Sequence, residues 1–383
     1  MIRNCENNQF LLHSQQPFFV ENKNLESLRD EIDRIDSKIV DLLNQRVRAA
    51  VEIGRIKNEL GVDPYDPARE EQVFEKLGNI NSGPLHKDSL RIIYREIISA
   101  SIALEKNLTI GYLGPEATYT HQAAVNNFGS TLNYRALPDI PDVFQAVESG
   151  ECDYGVVPIE NSTEGAVNRS LDLLVETELT IIAQVFLKVE HSLFSFFPLS
   201  EIDEVHSKDQ ALAQCGDWLR RNLPNARLVP VTSTAEAVKS LNQETKNAAI
   251  AGQLAGRIYQ VPSQQDEIQD RKNNVTRFLV VARKFLPKRD GVTYRTSLVL
   301  SLPDQVGALK GALKTFSDRE FNLCKIESRP SRLKTWDYYF FVDFIGHRDD
   351  TKVLEVIKEL EKTCPFLKVL GSYPEETSPV DSK

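Results

Sequence analysis

The sequence predicts a multidomain chain with three folds in series: an all-α helical module, a two-lobed α/β module, and an α+β module on the ferredoxin-like plan. Three observations carry this. Apolar residues recur every three or four positions from Leu25 to Leu60, the signature of a long helix packed on partner helices. From Leu108 onward short apolar runs alternate with helical stretches, the pattern of an α/β domain. Beyond Gly291 the order reads strand, helix, strand, strand, helix, strand.

A chain of 383 residues is long enough for two or three domains, each able to bury a core. Its net charge of -9 argues against a nucleic-acid partner, which would require a basic face. Cys5, Cys152, Cys215, Cys324 and Cys364 are odd in number, widely spaced and without a CxxC pair. They read as reduced thiols of a cytoplasmic protein, not as a disulfide framework or a zinc site. Residues 1–22 hold only two short apolar pieces, Phe10–Leu12 and Phe18–Val20, too broken for a signal or membrane segment. They are expected to form a flexible leader.

The helical module is expected over residues 23–107. Its stripe runs through positions 25, 28, 32, 35, 39, 42, 46, 49, 53, 56 and 60, all Leu, Ile or Ala except Arg46. A guanidinium in such a seam cannot shed its charge, so it must meet an anion. A structural Glu or Asp, or a registry role, would satisfy it, and so would an anionic ligand. Lys57 lies eleven residues on, about 20° around the helix, and so shares its face. Arg29, seventeen residues before Arg46, is about 25 Å away along the axis, within reach of one small pocket only from a second, antiparallel copy. Gly61 and Pro64 end the long helix, a short helix follows from Pro67 to Leu77, and Gly78, Gly83 and Pro84 break the chain before a third helix, Asp88–Glu105. Two short helices cannot cover so long a stripe, which points to a homodimer or higher homo-oligomer.

The α/β module is expected over 108–286. Strand candidates are Leu108–Leu113, Thr131–Leu137, Tyr154–Ile159, Leu179–Leu187 and Ala248–Ala251, with ligand between two lobes. The third module, 294–373, has strands at Arg295–Leu302, Asn322–Ser328, Asp337–Ile345 and Leu367–Gly371, with helices at Val306–Ser317 and Thr351–Lys362. The Glu, Ser and Pro-rich tail, 374–383, should be loose.

In helix pattern and in its polar positions the first module resembles the AroQ-type chorismate mutases. The resemblance makes Arg29, Arg46, Lys57, Asp66, Arg69, Glu70, Ser101 and Glu105 site residues. Three arginines suit the two carboxylates of chorismate, and Lys57 would donate to the ether oxygen that gains charge as its bond breaks. Asp66 and Glu70 would bind the substrate hydroxyl or orient basic neighbours, and Ser101 would help seat the substrate. Glu105 stands where several bacterial relatives have glutamine.

Three segments make the second module resemble prephenate dehydratase: Gly114-Pro-Glu-Ala-Thr-Tyr-Thr-His121, Val157-Pro-Ile-Glu-Asn-Ser-Thr-Glu-Gly165 and Asn273-Asn-Val-Thr-Arg-Phe278. Each is polar and borders a strand, where α/β domains place ligands. Expulsion of carbon dioxide and hydroxide from prephenate needs a proton donor at the hydroxyl, and cations or backbone amides for two carboxylates. The resemblance makes Thr276 the central catalytic residue. Arg277 would bind carboxylate or brace its loop, and Phe278 would pack. Glu160 and Asn161 would line the cleft with Thr118, Ser162 and His191. In Val205-His-Ser-Lys-Asp-Gln210, where many relatives read Ser-His-Pro-Gln, Ser207 and Gln210 are retained and the His and Pro are not. No P-loop, dinucleotide fingerprint or metal cluster is found in the sequence, and neither reaction needs a cofactor or metal.

The third module resembles an ACT domain of the phenylalanine-responsive kind, through Gly307-Ala-Leu309 at its first helix and Glu327-Ser-Arg-Pro330 in its second strand. Glycine at a helix start bares backbone amides for an amino-acid carboxylate, and Glu327 would meet the ammonium. Gly307, Ala308, Leu309, Glu327, Ser328, Arg329 and Pro330 are thus the expected phenylalanine contacts, and as turn and capping residues they would need no ligand. ACT modules commonly pair side by side. Together the resemblances imply a bifunctional enzyme of phenylalanine biosynthesis under feedback by phenylalanine, with chorismate and prephenate as small-molecule substrates and no membrane partner. A two-lobed amino-acid-sensing binding protein with inactive enzyme modules is the alternative, and it would lack an intact Thr276 segment and the cationic mutase set. A mutase module kept only for dimerisation is a second, and there Arg46→Ala would leave stability unchanged or raised.

A carboxyl group donates a hydrogen bond only when protonated, whereas an amide donates at any pH. Mutase turnover should therefore decline as pH rises through the Glu105 titration, and Glu105→Gln should flatten that limb. An unchanged pH profile in the variant would contradict this role.

Overall fold

The computed structural model describes residues 25–331 and 338–376. The expected leader, Asp337 of the expected third-module strand, and 377–383 of the expected tail lie outside the described residues. The chain divides after Ala49 into two units. Helix α1 (Leu25–Glu59) has no buried residue. In the first unit Leu28, Ile32, Ile35, Ile39 and Leu42 of its apolar stripe are all exposed. The helix ends as its sequence directs: Gly61 takes φ +66° and the Val62 amide turns back to the Lys57 carbonyl at 2.8 Å.

In the second unit, helix α2 (Pro67–Ile80) starts on a capping residue, Asp66, whose carboxylate accepts from the Arg69 amide at 2.9 Å. Gly78, expected to end this helix, lies within it. An interior glycine costs only about 1 kcal/mol, and the apolar burial of Ala68 and Phe74 outweighs that. Helix α3 (Lys87–Glu105) follows, and Tyr65, Phe74, Ile98 and Ile102 pack into the same core as Ile110, Tyr154 and Val280 of the next module.

That module runs β1 (Thr109–Leu113), α4 (Tyr119–Phe128), β2 (Asn133–Leu137), α5 (Ile140–Glu148), β3 (Tyr154–Asn161), β4 (Gly165–Ala166), α6 (Asn168–Glu176) and β5 (Thr180–Lys188). The second lobe adds β6 (Ser192–Phe194), β7 (Glu204–Ser207), α7 (Asp209–Gln214), α8 (Gly216–Asn222), β8 (Arg227–Pro230), α9 (Thr234–Lys239), β9 (Asn247–Ala251), α10 (Gln253–Tyr259) and β10 (Ser263–Gln265). The chain then returns to the first lobe as β11 (Val275–Ala282). The first sheet has the order β2-β1-β3-β11-β5, with β4 beside β3, and β11 runs antiparallel to both neighbours. The second sheet has the order β10-β6-β9-β7-β8. All five expected strands of the module form. The strands β4, β6, β7, β8 and β10 are not among the expected ones because they are two to four residues long, too short for alternation to register, and neither is the eight-residue β11, whose buried run from Phe278 to Ala282 does not alternate.

The last module keeps the expected order: β12 (Tyr294–Ser301), α11 (Ala308–Ser317), β13 (Leu323–Pro330), β14 (Tyr338–Ile345), α12 (Thr351–Thr363) and β15 (Phe366–Pro374), in a sheet β13-β14-β12-β15. Its face merges with the α/β core through Val299, Phe341, Leu370 and Tyr373 against Ile181, Leu279 and Val281. Contact is so close that a Cβ on Gly371 would lie 2.1 Å from the Ile181 carbonyl oxygen. The start of the tail is tied down, not loose: Glu375 takes two hydrogen bonds from Arg295 at 2.6 Å each.

Arg277 fastens these two sheets and does not reach the cleft. Its guanidinium is buried and donates to Asp343 and to the Tyr373 hydroxyl, each at 2.8 Å. Tyr373 bonds Ser297 at 2.6 Å, and Ser297 donates to Asp343 at 2.5 Å, which closes the ring. Burial alone would raise the Asp343 carboxyl, but Arg277, the Ser297 hydrogen bond and Arg295 hold it below the usual carboxylate range.

A carboxylate with a depressed folded pKa stabilises the fold above its unfolded value, about 3.9, and loses that contribution as pH falls through the folded pKa. Asp343→Asn should cost roughly 3–5 kcal/mol at neutral pH, as for a broken buried pair. The loss of unfolding free energy below about pH 4 should also be shallower than in the parent chain. Parallel acid titrations of the two proteins would contradict this account.

Candidate active sites

A cleft of about 590 Å³ lies between the two lobes. The chain crosses between the lobes twice, after β5 and before β11, and the crossings are joined by the Val189 amide on the Asn274 carbonyl at 2.8 Å. Thr276, the second residue of β11, lines the cleft with Asn161, the last of β3, directly opposite in register. The Asn161 side-chain oxygen accepts from the Thr163 and Glu164 amides at 2.9 and 3.1 Å. Those two fixed donors settle which way the amide points. Its nitrogen therefore donates to Thr276 Oγ1 at 2.7 Å and to Asn274 Oδ1 at 2.8 Å. With its oxygen accepting from Asn161, the Thr276 hydroxyl keeps its proton for a ligand.

A β-bulge sets this arrangement. Phe278 pairs with Pro158, but Arg277 pairs with Glu160, so Ile159 is an extra residue in β3. One inserted residue exchanges the faces of everything beyond it. Simple alternation from Pro158 would put Glu160 in the cleft. The bulge puts Asn161 there and turns Glu160 to the opposite side, where it meets Lys325 of β13 at 2.5 Å. The expected cleft role of Glu160 is thereby corrected, as is that of Arg277.

His191 lines the cleft and is buried, with its ring nitrogens 2.7 Å from the Tyr119 hydroxyl and 2.8 Å from Gln214 Oε1. The Tyr119 hydroxyl also donates to the Glu190 carbonyl at 2.9 Å, and burial lowers the imidazole pKa, which favours the neutral ring. Thr118 caps α4 and lines the cleft, as does Gln210. Two expected residues are structural instead. The Ser207 hydroxyl is buried and donates to the Ile250 carbonyl at 2.6 Å, joining β7 to β9. Ser162 bonds the Asn273 carbonyl and the Val275 amide at 3.1 and 3.0 Å, tying the turn after β3 to β11.

Sequence reasoning missed Tyr119, Asn274, Gln214 and Lys208. The first two lay inside the polar segments already singled out, and Lys208 lay in the altered loop. Gln214, on the short helix α7, carried no signal. Lys208 is the cationic side chain among the described residues that line the cleft.

The mutase residues of the second unit fall on α1, α2 and α3. Lys57 donates to the Pro64 carbonyl at 2.9 Å. Asp66 accepts from Arg289 at 2.6 Å, and Glu70 pairs with Arg95, which the sequence reading did not single out. Burial pushes the Glu70 carboxyl up, against the pull of Arg95. Arg69 is exposed and donates to Gln72 at 3.3 Å. Ser101 is buried with its hydroxyl on the Ile97 carbonyl at 2.8 Å. Glu105 lies over Gly54, where an added Cβ would come 2.5 Å from Glu105 Cγ. Arg29 and Arg46 belong to the first unit, on the opening turns and the later part of α1.

In the third module Gly307 takes φ +86° at the start of α11, ahead of Ala308 and Leu309. Along β13 the half-buried Lys325, Glu327 and Arg329 alternate with exposed residues, among them Ser328 and Pro330. Arg329, expected at the effector, is instead held by Asp172 of α6, with contacts of 2.7 and 2.9 Å.

Residues 28–106 match the family model for chorismate mutase type II, 110–285 that for prephenate dehydratase, and 296–362 that for the ACT domain. The bifunctional chorismate mutase/prephenate dehydratase of Aquifex aeolicus is 43% identical over 91% of this chain and 98% of its own length. That of Neisseria gonorrhoeae is 41% identical over 90% and 96%. Among solved structures, the prephenate dehydratase of Arthrobacter aurescens in complex with L-Phe is 33% identical, with a TM-score of 0.64, over 72% of this chain and 94% of that one. Three modules in the same order, aligned over nearly all of such relatives, place the chain in the bifunctional chorismate mutase/prephenate dehydratase family.

Proposed function

We propose that prephenate is dehydrated in the cleft between the lobes, with Thr276 as the proton donor. The observation that carries this reading is the hydrogen bond from Asn161 to Thr276 Oγ1. As the ring aromatises, the bond from ring to carboxylate supplies its electrons, carbon dioxide departs, and the ring carbon–oxygen bond breaks toward the hydroxyl. That oxygen takes a proton and leaves as water. The Thr276 hydroxyl, already accepting from Asn161, offers its proton to the departing oxygen, where negative charge develops. Lys208 takes a substrate carboxylate, and Thr118 and Gln210 supply further polar contacts. Neutral His191 braces Tyr119 and Gln214 and is not the acid.

The chain supplies its own prephenate, because the family pairs the two reactions in sequence. The mutase step needs electrostatic stabilisation alone. Lys57 and Glu105 act at the ether oxygen, Arg29, Arg46 and Arg69 act on the carboxylates, and Ser101 seats the substrate. Asp66 and Glu70 orient basic neighbours, which the bonds to Arg289 and Arg95 support. An exposed apolar stripe on α1 supports a homodimer built on that helix. Free Cys152, Cys215, Cys324 and Cys364 suit a cytoplasmic setting.

Phenylalanine acts on the third module, its carboxylate at the Gly307–Leu309 amides and its ammonium at Glu327, with Ser328 and Pro330 beside it. The Arthrobacter aurescens relative with L-Phe bound supports this reading. Inhibition requires tighter binding to a less active state of the dehydratase than to the active one.

Coupled assay of chorismate consumption and phenylpyruvate formation, with and without phenylalanine, tests the whole scheme. Thr276→Val should lower phenylpyruvate formation by about a hundredfold or more and leave chorismate consumption intact. Loss of both activities together would contradict the assignment. Lys208→Met should raise KM for prephenate by about tenfold with kcat within about twofold, and an unchanged KM would remove Lys208 from the site. Glu327→Ala should raise the phenylalanine concentration needed for inhibition while uninhibited turnover stays near normal. Full sensitivity in that variant would exclude Glu327 as the ammonium contact.

A further inference from the structure

Strand alternation gives two neighbouring cross-strand pairs opposite faces, and the bulge at Ile159 sets which face each pair takes. Asn161 and Thr276 look into the cleft, and one residue earlier and later in the chain Glu160 and Arg277 look out of the back of the same sheet. Both outward residues end on the third module. Glu160 meets Lys325 of β13 at 2.5 Å, and Arg277 meets Asp343 of β14 at 2.8 Å. Lys325 is largely buried while Glu160 is half exposed, and the Arg277 pair is buried on both sides. β13 and β14 are hydrogen-bonded neighbours, so the two anchors sit on adjoining strands of one sheet.

We infer that Glu160 and Arg277 are positioning residues for the dehydratase, through which Lys325 and Asp343 of the third module fix the spacing of Asn161 and Thr276. Glu160 and Arg277 are each covalently adjacent to the residue they position. A backbone shift that followed release of Glu160 would carry Asn161 with it, and the Asn161 amide would no longer hold the Thr276 hydroxyl toward the leaving oxygen. A displacement of this kind is felt in the transition state, where donor distance matters most, and much less in substrate binding. The ACT-like module is therefore part of the catalytic frame even without an effector. Residues in contact across such a network act non-additively.

The inference rests on the reading of Thr276 as donor, and the test separates the two. In the full chain, Lys325→Met and Glu160→Gln should each lower dehydratase kcat by about tenfold with KM within about twofold. The double variant should be no worse than either single one, and Lys325→Arg should restore kcat to within about twofold of the parent. Mutase turnover in the same samples should hold, reporting an intact fold. An unchanged kcat in Lys325→Met overturns the inference. So does a rise in KM alone in Glu160→Gln, which would make Glu160 a substrate contact, and so do additive losses in the double variant. If Thr276→Val keeps parental turnover, the donor reading itself fails, whatever the anchors do. If Thr276→Val is inactive while Lys325→Met is unaffected, only the positioning role fails.

Discussion

The structure turns on the pairing of β11 with β3. The chain leaves the first lobe after β5, builds the whole second lobe, and returns to insert β11 antiparallel between β3 and β5. That return closes the two-lobed body and brings Thr276 opposite Asn161, across more than a hundred residues of sequence. It also fixes the parity of every side chain along β11: Phe278 and Val280 enter the core shared with α2 and α3, whereas Leu279 and Val281 enter the core shared with the third module. One strand thus serves two cores and a cleft. A slip of one residue would exchange all three.

From this follows the layout of the second unit. Helix α4, joined by α2 and α3, packs on one face of the central sheet, and α5, α6 and the ACT-like sheet pack on the other. Apolar burial supplies the adhesion on both sides. On the back face it is joined by the closed ring of Arg277, Tyr373, Ser297 and Asp343, where every member is buried and each hydroxyl has both a donor and an acceptor role. Such a ring is costly unless complete, and so it specifies one mutual setting of the two sheets. The ACT-like module seated there lies one sheet thickness from Asn161 and Thr276.

Long and strongly periodic features were legible in the sequence. The heptad stripe gave α1, and the order of elements gave the last module, because periods of 3.6 and 2 accumulate over many residues. Of the site, Thr276, Asn161, Thr118, His191 and Gln210 line the cleft as expected. The misses share a cause in local geometry that no period encodes. Glu160 was placed in the cleft beside Asn161 by the resemblance of their segment, and the bulge at Ile159 decides that only Asn161 faces it. Arg277 carries the chemistry of a carboxylate ligand, but its place on the back of β11 was settled by a distant partner, Asp343. Ser207 and Ser162 looked like substrate contacts and instead satisfy backbone groups where strands meet. Gln214 entered the cleft from a helix of six residues, where composition says nothing.

The central claim is that the Asn161 amide nitrogen holds Thr276 as a donor toward the cleft. Asn161→Asp tests it most directly, because it keeps the shape and replaces the nitrogen donor with a second acceptor. The carboxylate would then draw the Thr276 proton away from the cleft. Dehydratase kcat should fall by about a hundredfold with mutase turnover unchanged. Parental kcat in this variant would contradict the account.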